Sequence, residues 1–333
     1  MFDKISVCLP TYKSVAIIEP TLKSILAQSH KDFEIIIGND YPQDHKELVA
    51  LMDSYNDKRI KVESNEVNLG YPSNIKKVVA RAENEILFFM CQDDRILDPD
   101  LFKKILQVFN ENSEIGVITR PYYWFTEDVN KPNRVIPKWP KRVISLDDDE
   151  KDIRAMMDTV GQLSGLVFRK SLIRHNFGDH VFPAHAYPFY SIMRTHKCYF
   201  WPEFMVAVWT AASQTKHVST IYSPAPTWSW VHMFETVLPE ARYKKARDVG
   251  ISLFANNHFG LVQIKNYGKL REVIADAYYL VKARKINLLR LRFWAVFLGV
   301  ILVPKTLLIG MVNIYHNVIR KYHLRKLELA RES

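Results

Sequence analysis

Along the first 115 residues, short apolar runs alternate with longer stretches whose apolar positions recur every three or four residues. ISVCLP (5–10), FEIIIGND (33–40), RIKVESN (59–65) and EILFFM (85–90) are β-rich runs. Between and after them stand VAIIEPTLKSILAQSH (15–30), HKELVALMDSYN (45–56), YPSNIKKVVARA (71–82) and PDLFKKILQVFNEN (99–112), with Ile18, Leu22, Ile25 and Leu26 at helical spacing in the first of these. Strands separated by helices of this length predict parallel β-α-β units. Near-continuous apolar strands, rather than alternating ones, predict a sheet covered by helices on both faces.

The polar punctuation then matters. In an open parallel sheet, ligands bind beyond the carboxyl ends of the strands. Three of these runs end in polar residues: Pro10-Thr11-Tyr12, Gly38-Asn39-Asp40 and Gln92-Asp93-Asp94. Adjacent carboxylates at the tip of a buried strand suit a hard divalent cation that bridges to a substrate phosphate. The competing reading is a helix cap. Asp98, directly before Pro99, is the better candidate for that, which leaves Asp93 and Asp94 without a capping task.

Several classes are disfavoured. There is no phosphate-binding G-x-x-x-x-G-K-[ST] and no G-x-G-x-x-G after the first strand, nor any HExxH or Cys/His cluster with zinc spacing. Cys8, Cys91 and Cys198 are scattered and odd in number, which favours a reducing compartment over a disulfide framework. The first residues, MFDKISVCLPTYK, lack the basic and apolar regions of a signal peptide, so the expected location is cytoplasmic.

Four short motifs in order carry a resemblance. VCLPTYK (7–13), SILAQSHKDFEIIIGND (24–40), NLGYPSN (68–74) and CQDD (91–94) resemble successive segments of the family 2 glycosyltransferases, which have the GT-A fold. The resemblance implies an α/β fold with a mostly parallel, helix-flanked sheet, a nucleotide-sugar donor and Mg²⁺ or Mn²⁺ on its diphosphate. It implies that Thr11 and Asp40 contact the base or ribose, that Asn68 and Gly70 line the donor pocket, that Asp93 meets the ribose or diphosphate, and that Asp94 binds the metal. Residues 1–115 would then be the donor half of the domain, 116–240 the acceptor half, and 241–333 a helical C-terminal region. The chain departs from the family pattern at Asn39-Asp40-Tyr41-Pro42, where many members carry Asp-Asp-Gly-Ser.

The second half is less regular. Residues 120–150 are expected to be an acceptor-side excursion or linker, with Asp147–Glu150 a solvated helix start. Residues 153–173 predict a helix and a strand containing Gly165; the resemblance implies that a small residue at such a place lets the acceptor approach. Many inverting members carry a Glu-Asp pair as general base at the head of the next helix. Here HVFPAHAYPFYSIMRTH (180–196) offers no acid between Asp179 and Glu203. His185, which could titrate near neutrality, is the first candidate base and Asp179 the second. Residues 216–236 are expected to form a mobile loop, with Trp228, Trp230 and His232 available to stack on a sugar and His217 and His232 as weaker metal candidates.

Net charge is +10, which favours anionic partners. A nucleic-acid groove is one reading and a catalytically inactive GT-A scaffold another. Much of the excess, however, flanks the most apolar stretch: Lys282, Arg284, Lys285, Arg290 and Arg292 before FWAVFLGVILV (293–303), and Arg320, Lys321, Arg325 and Lys326 after it. That pairing suits an anionic membrane better than nucleic acid. The 293–303 run is too short to span a bilayer, and a Pro304-Lys305 step is costly at its centre. The expectation is an interfacial or re-entrant hairpin bent at Pro304, on the cytoplasmic face of a bacterial inner membrane, facing a lipid-linked glycan acceptor.

Overall fold

The computed structural model describes residues 1–174, 176–210, 219–312 and 314. The chain alternates as the pattern predicts: β1 (Ile5–Thr11), α1 (Glu19–Leu26), β2 (Phe33–Asn39), α2 (His45–Asp53), β3 (Ile60–Ser64), α3 (Tyr71–Arg81) and β4 (Ile86–Phe89). A short β5 (Arg95–Ile96) precedes α4 (Leu101–Glu111) and β6 (Ile115–Thr119). Every residue of β2, β4 and β6 is buried, the mark of strands covered on both faces.

Residues 120–150 are more structured than a linker. They form β7 (Tyr122–Phe125), β8 (Arg134–Ile136) and β9 (Val143–Ile144), and Asp149 precedes α5 (Glu150–Met157). Then come β10 (Val167–Arg169), α6 (Ala186–Met193), β11 (Lys197–Phe200) and β12 (Val206–Trp209). Among the described residues, eight strands form one sheet in the order β3-β2-β1-β4-β10-β6-β11-β9, and four form a second in the order β5-β12-β7-β8. In the large sheet β3, β2, β1 and β4 run parallel, β10 is antiparallel to both neighbours, and β11 is again parallel to β6.

One core packs α3, α5, α6 and the later helices α7 (Pro226–Val237) and α8 (Lys244–Ala255) on one face of this sheet. The other packs α1, α2 and α4 on the opposite face. A separate small core joins α9 (Gly260–Tyr267), α10 (Leu270–Ala283) and α11 (Leu291–Leu302). α11 stops before Pro304, and helical backbone resumes at residue 305, as the Pro-Lys break predicts.

Two expectations change. Asp98 is not the cap of α4; Asp100 takes that place, and Asp98 instead accepts from the Asp100 amide and pairs with Lys104. Residues 226–237 are a helix rather than a mobile loop. Trp230 there is buried and stacks on Phe254 with ring centroids 3.8 Å apart. His217 and the basic flank Arg320, Lys321, Arg325 and Lys326 lie outside the described residues.

Candidate active site

The carboxyl ends of β1, β2 and β4 open into a cleft with two lobes. The first, about 400 Å³, is lined by Thr11, Asp40, Asn68, Gly70 and Asp179, among others. The second, about 280 Å³, is lined by Asp93, Asp94, Gln162, His185 and Trp209. Pro10, Tyr71, Val181 and Phe182 line both, so the lobes meet. Thus all eight candidate site residues fall on one cleft, although they come from six separate segments of chain.

Asp40 follows β2 and builds the wall of the first lobe. Its carboxylate accepts from the backbone amides of Leu69 (2.8 Å) and Gly70 (2.8 Å) and from Asn65 Nδ2 (2.9 Å). The Asn68 side chain also accepts from the Gly70 amide, at 2.9 Å. Gly70 has φ of +79°, a left-handed value that favours glycine, and it leads directly into α3. Asp40 is therefore committed to holding the 65–70 loop. Thr11 is buried; its Oγ1 donates to the Gly38 carbonyl at 3.3 Å, and its own carbonyl accepts from the Asp40 amide at 2.9 Å. Gln92, not singled out from sequence, ties β4 to β1: its Oε1 accepts from the Tyr12 amide (2.6 Å) and its Nε2 donates to the Tyr12 carbonyl (2.9 Å).

The two aspartates have different surroundings. Asp94 is only 1% exposed. Its Oδ1 accepts from the Trp209 amide at 2.9 Å. Its Oδ2 accepts from Gln162 Nε2 at 2.9 Å and from the Ser164 hydroxyl. Burial is the main force pushing its pKa up to about 6, against these donors and the Arg120 charge. Asp93 is half-buried, and among the described residues its carboxylate has neither an ion pair nor a side-chain donor. Burial first, and then the Asp94 charge, raise its pKa well above the usual carboxylate range. Asp93 is thus the carboxylate that carries no side-chain donor, whereas the family resemblance implies the metal on Asp94; both line the second lobe. An ion-binding oxygen needs free lone pairs, and protein donors take three of the four that the Asp94 carboxylate offers, leaving one on Oδ1.

Arg120 explains how that arrangement persists in the interior. Fully buried, it donates to the carbonyls of Thr159 (3.2 Å) and Gln162 (2.7 Å) and lies over the Tyr122 ring. The 159–165 loop is thus gripped by Arg120 through carbonyls and by Asp94 through side chains. Gly165, at φ +85°, has no room for a Cβ: it would fall 2.8 Å from Arg120 Nε. The missing side chain lets Arg120 pack against the loop.

His185 is buried with both ring nitrogens engaged. Nε2 donates to the Val160 carbonyl at 2.7 Å, which fixes the tautomer and leaves Nδ1 to accept from the Tyr71 hydroxyl at 3.0 Å. Burial lowers its pKa to about 4. It has no free lone pair with which to take a proton from an acceptor, and its expected role as base does not fit this geometry. Asp179 is 88% exposed on its side chain and pairs with Lys76 at 2.8 Å, which lowers its pKa. His232 is exposed and stacks on Trp228, 4.9 Å away, outside both lobes. Among the described residues, no three metal-ligating side chains converge.

The sequence model of glycosyl transferase family 2 matches residues 6–173, half of the chain and nearly all of the cleft-bearing sheet. The chain belongs to glycosyl transferase family 2. A Campylobacter jejuni protein named GalNAc(5)-diNAcBac-PP-undecaprenol beta-1,3-glucosyltransferase is 32% identical over 109 residues, which are 32% of this chain and 35% of that one. The chain thus spans about a third of that relative's length. Among solved structures, S. aureus TarS in complex with UDP-GlcNAc superposes with a TM-score of 0.65 at 17% identity, covering 86% of this chain and 83% of that one. Mannosyltransferase PcManGT from Pyrobaculum calidifontis, in complex with GDP-Man and Mn²⁺, gives 0.56 at 13% identity, with 89% and 85% covered. These structural likenesses show the fold of the family 2 chain: an α/β, GT-A-like sheet flanked by helices.

Proposed function

We propose that this chain is a nucleotide-sugar-dependent glycosyltransferase that moves a sugar from a nucleoside-diphosphate donor to a hydroxyl of a lipid-linked glycan, at the cytoplasmic face of a bacterial inner membrane. The observation that carries the reading is the Asp93 carboxylate, free of side-chain donors, in the second of two adjoining lobes at the tips of β1, β2 and β4. In this reading Thr11, Asp40, Asn68 and Gly70 shape the first lobe for the nucleoside.

Asp93 fits a divalent cation by its chemistry: a hard carboxylate oxygen with no ion pair of its own among the described residues, since Arg95 beside it is turned to the backbone carbonyls of Asp93 and Asp94, in a place with no full protein cage. Mg²⁺ and Mn²⁺ are commonly held that way, by one or two carboxylates plus substrate phosphates. When bound, such an ion would neutralise charge developing on the leaving diphosphate. Asp94 positions Trp209, Gln162 and Ser164 around Asp93. Tyr71, held by His185, forms the wall between the lobes. Asp179 keeps an ionised carboxylate at the cleft mouth, so of the two candidate bases it is the one retained for an inverting displacement. The UDP-GlcNAc and GDP-Man complexes of the two similar structures support a nucleotide-sugar donor. The name of the Campylobacter relative supports a polyprenyl-linked acceptor.

Support for the membrane comes from the C-terminal helices. Among the described residues no helix is long and apolar enough to cross a membrane. Yet Leu289 and Leu291 are 82% and 85% exposed, and Trp294, Leu298 and Leu302 continue the same stripe of α11. Exposed Lys285, Arg292 and Lys305 border it. An apolar stripe edged by cations suits the interface of an anionic bilayer. The test is nucleotide release from a panel of UDP-, GDP- and dTDP-sugars with Mn²⁺ or Mg²⁺ and a polyprenyl-diphosphate-linked glycan. Acceptor-dependent release from one donor class is expected. No release from any donor would reject the proposal.

A further inference from the structure

A third cavity, about 430 Å³, lies behind the 159–165 loop and is lined by Trp124, Arg134, Arg154, Gln162, Asn256 and Asn257, among others. It shares Trp124, Gly161 and Gln162 with the Asp93 lobe. At its far side Arg284 and Arg290 both donate to one neutral acceptor, Asn256 Oδ1, at 2.8 and 2.9 Å. Among the described residues, none of Arg134, Arg154, Arg284 and Arg290 forms an ion pair. Two guanidiniums gathered on one uncharged oxygen repel each other. Burial first, then the charges of Arg290 and Arg154, hold Arg284 below the usual guanidinium range. The one carboxylate lining the cavity, Asp158, faces Arg134 and Arg154, which leaves a clear cationic excess. Beside the cluster, His258 is buried, and the charges of Arg292, Arg290 and Arg284 add to burial in lowering its pKa. Immediately beyond Arg284 and Arg290 begins the exposed apolar stripe at Leu288, Leu289 and Leu291.

We propose that Arg154, Arg284 and Arg290, with Arg134 at the cleft side, form a binding site for the diphosphate of a lipid-linked acceptor. The site rests on the acceptor class proposed above and supplies what that class requires. The acceptor must present its sugar hydroxyl near Asp93 while its lipid stays in the membrane, and the diphosphate lies between. The order on the protein is the same: Asp93 lobe, cationic cavity, apolar helix. Guanidinium groups suit phosphate because their planar donors pair with two oxygens at once. Ion pairing with a diphosphate would also relieve the mutual repulsion of the cluster.

The test uses the full chain and farnesyl diphosphate as probe, in EDTA so that no divalent cation can bind phosphate at Asp93. Arg154→Gln is the primary variant, since the Arg154 side chain is exposed and holds no hydrogen bond within the described structure. Arg284→Gln is the second, with thermal melting as the fold control. Each is expected to weaken farnesyl diphosphate binding about tenfold, as loss of a charged hydrogen-bonding group does. Farnesol should bind weakly and equally to all three proteins. The KM for a polyprenyl-diphosphate-linked glycan should rise, and that for a phosphate-free soluble acceptor should not. Wild-type affinity in Arg154→Gln and in a folded Arg284→Gln would overturn the inference, as would failure of the wild type to bind the probe. A parallel loss of binding to phosphatidylglycerol vesicles would overturn it in favour of a lipid-headgroup site. Active transfer with unaltered probe binding rejects only this site, whereas absence of transfer from every donor rejects the proposed function itself.

Discussion

At the scale of single residues, what decides a role is whether an atom still has a lone pair to offer. His185 has none, and its burial carries a pH signature. Its folded pKa, about 4, lies below the ordinary 6.5. Between those values the unfolded chain binds the extra proton and the folded chain does not, so stability is lost as pH falls from 6.5 towards 4. A shift of that size is worth up to about 3 kcal/mol. His185→Gln should flatten that part of the stability-against-pH curve, read by denaturant melts at pH 7 and pH 4.5. A wild-type curve already flat there would contradict the account. The two aspartates should separate in the same assay. Asp94→Asn removes an acceptor from donors buried around it and should cost about 1–3 kcal/mol of stability. Asp93→Asn removes a charge that burial and Asp94 oppose and takes no side-chain partner away, so it should not lower the melt while abolishing divalent-dependent turnover. The reverse pattern would return the metal to Asp94.

At the scale of elements, the donor lobe depends on one carboxylate pinning one loop. Asp40→Ala strands the amides of Leu69 and Gly70 and the side chain of Asn65. It should cost about 2 kcal/mol or more and weaken nucleotide binding together with stability. A nucleotide affinity that survives a lowered melting temperature would separate Asp40 from the site. The alternation of β1 through α4 was legible because covered parallel strands must be apolar throughout, and their helices must show a 3.6-residue period. The cleft was legible because polar residues at the tips of such strands have a fixed place. Tertiary commitments were hidden. Nothing in CQDDR distinguishes the buried aspartate from the open one, since the distinction is made by Trp209, Gln162 and Ser164, 68 to 115 residues away. The tautomer of His185 depends likewise on Val160 and Tyr71. The 120–150 segment read as a linker because its strands are two to four residues long, too short to show a period.

At the scale of the whole molecule, a family 2 sheet presents its cleft at one end, and a helical C-terminal region adds an exposed apolar stripe bordered by cations. The full-length protein should sediment with phosphatidylglycerol vesicles. High salt should release it only in part, because screening weakens the cationic attraction but not apolar burial, whereas detergent should release it fully. Protein that stays unbound at low salt would return the stripe to a protein–protein contact. The central claim is that the cleft holds a nucleoside diphosphate through a divalent cation on Asp93. Calorimetric titration of a panel of nucleoside diphosphates, with and without Mn²⁺, into the wild type and Asp93→Asn tests it most directly. The account predicts one nucleotide bound at least about tenfold more tightly with Mn²⁺, which is about 1.4 kcal/mol, and loss of that enhancement in Asp93→Asn. No nucleotide bound, or a Mn²⁺ enhancement intact in Asp93→Asn, would contradict it.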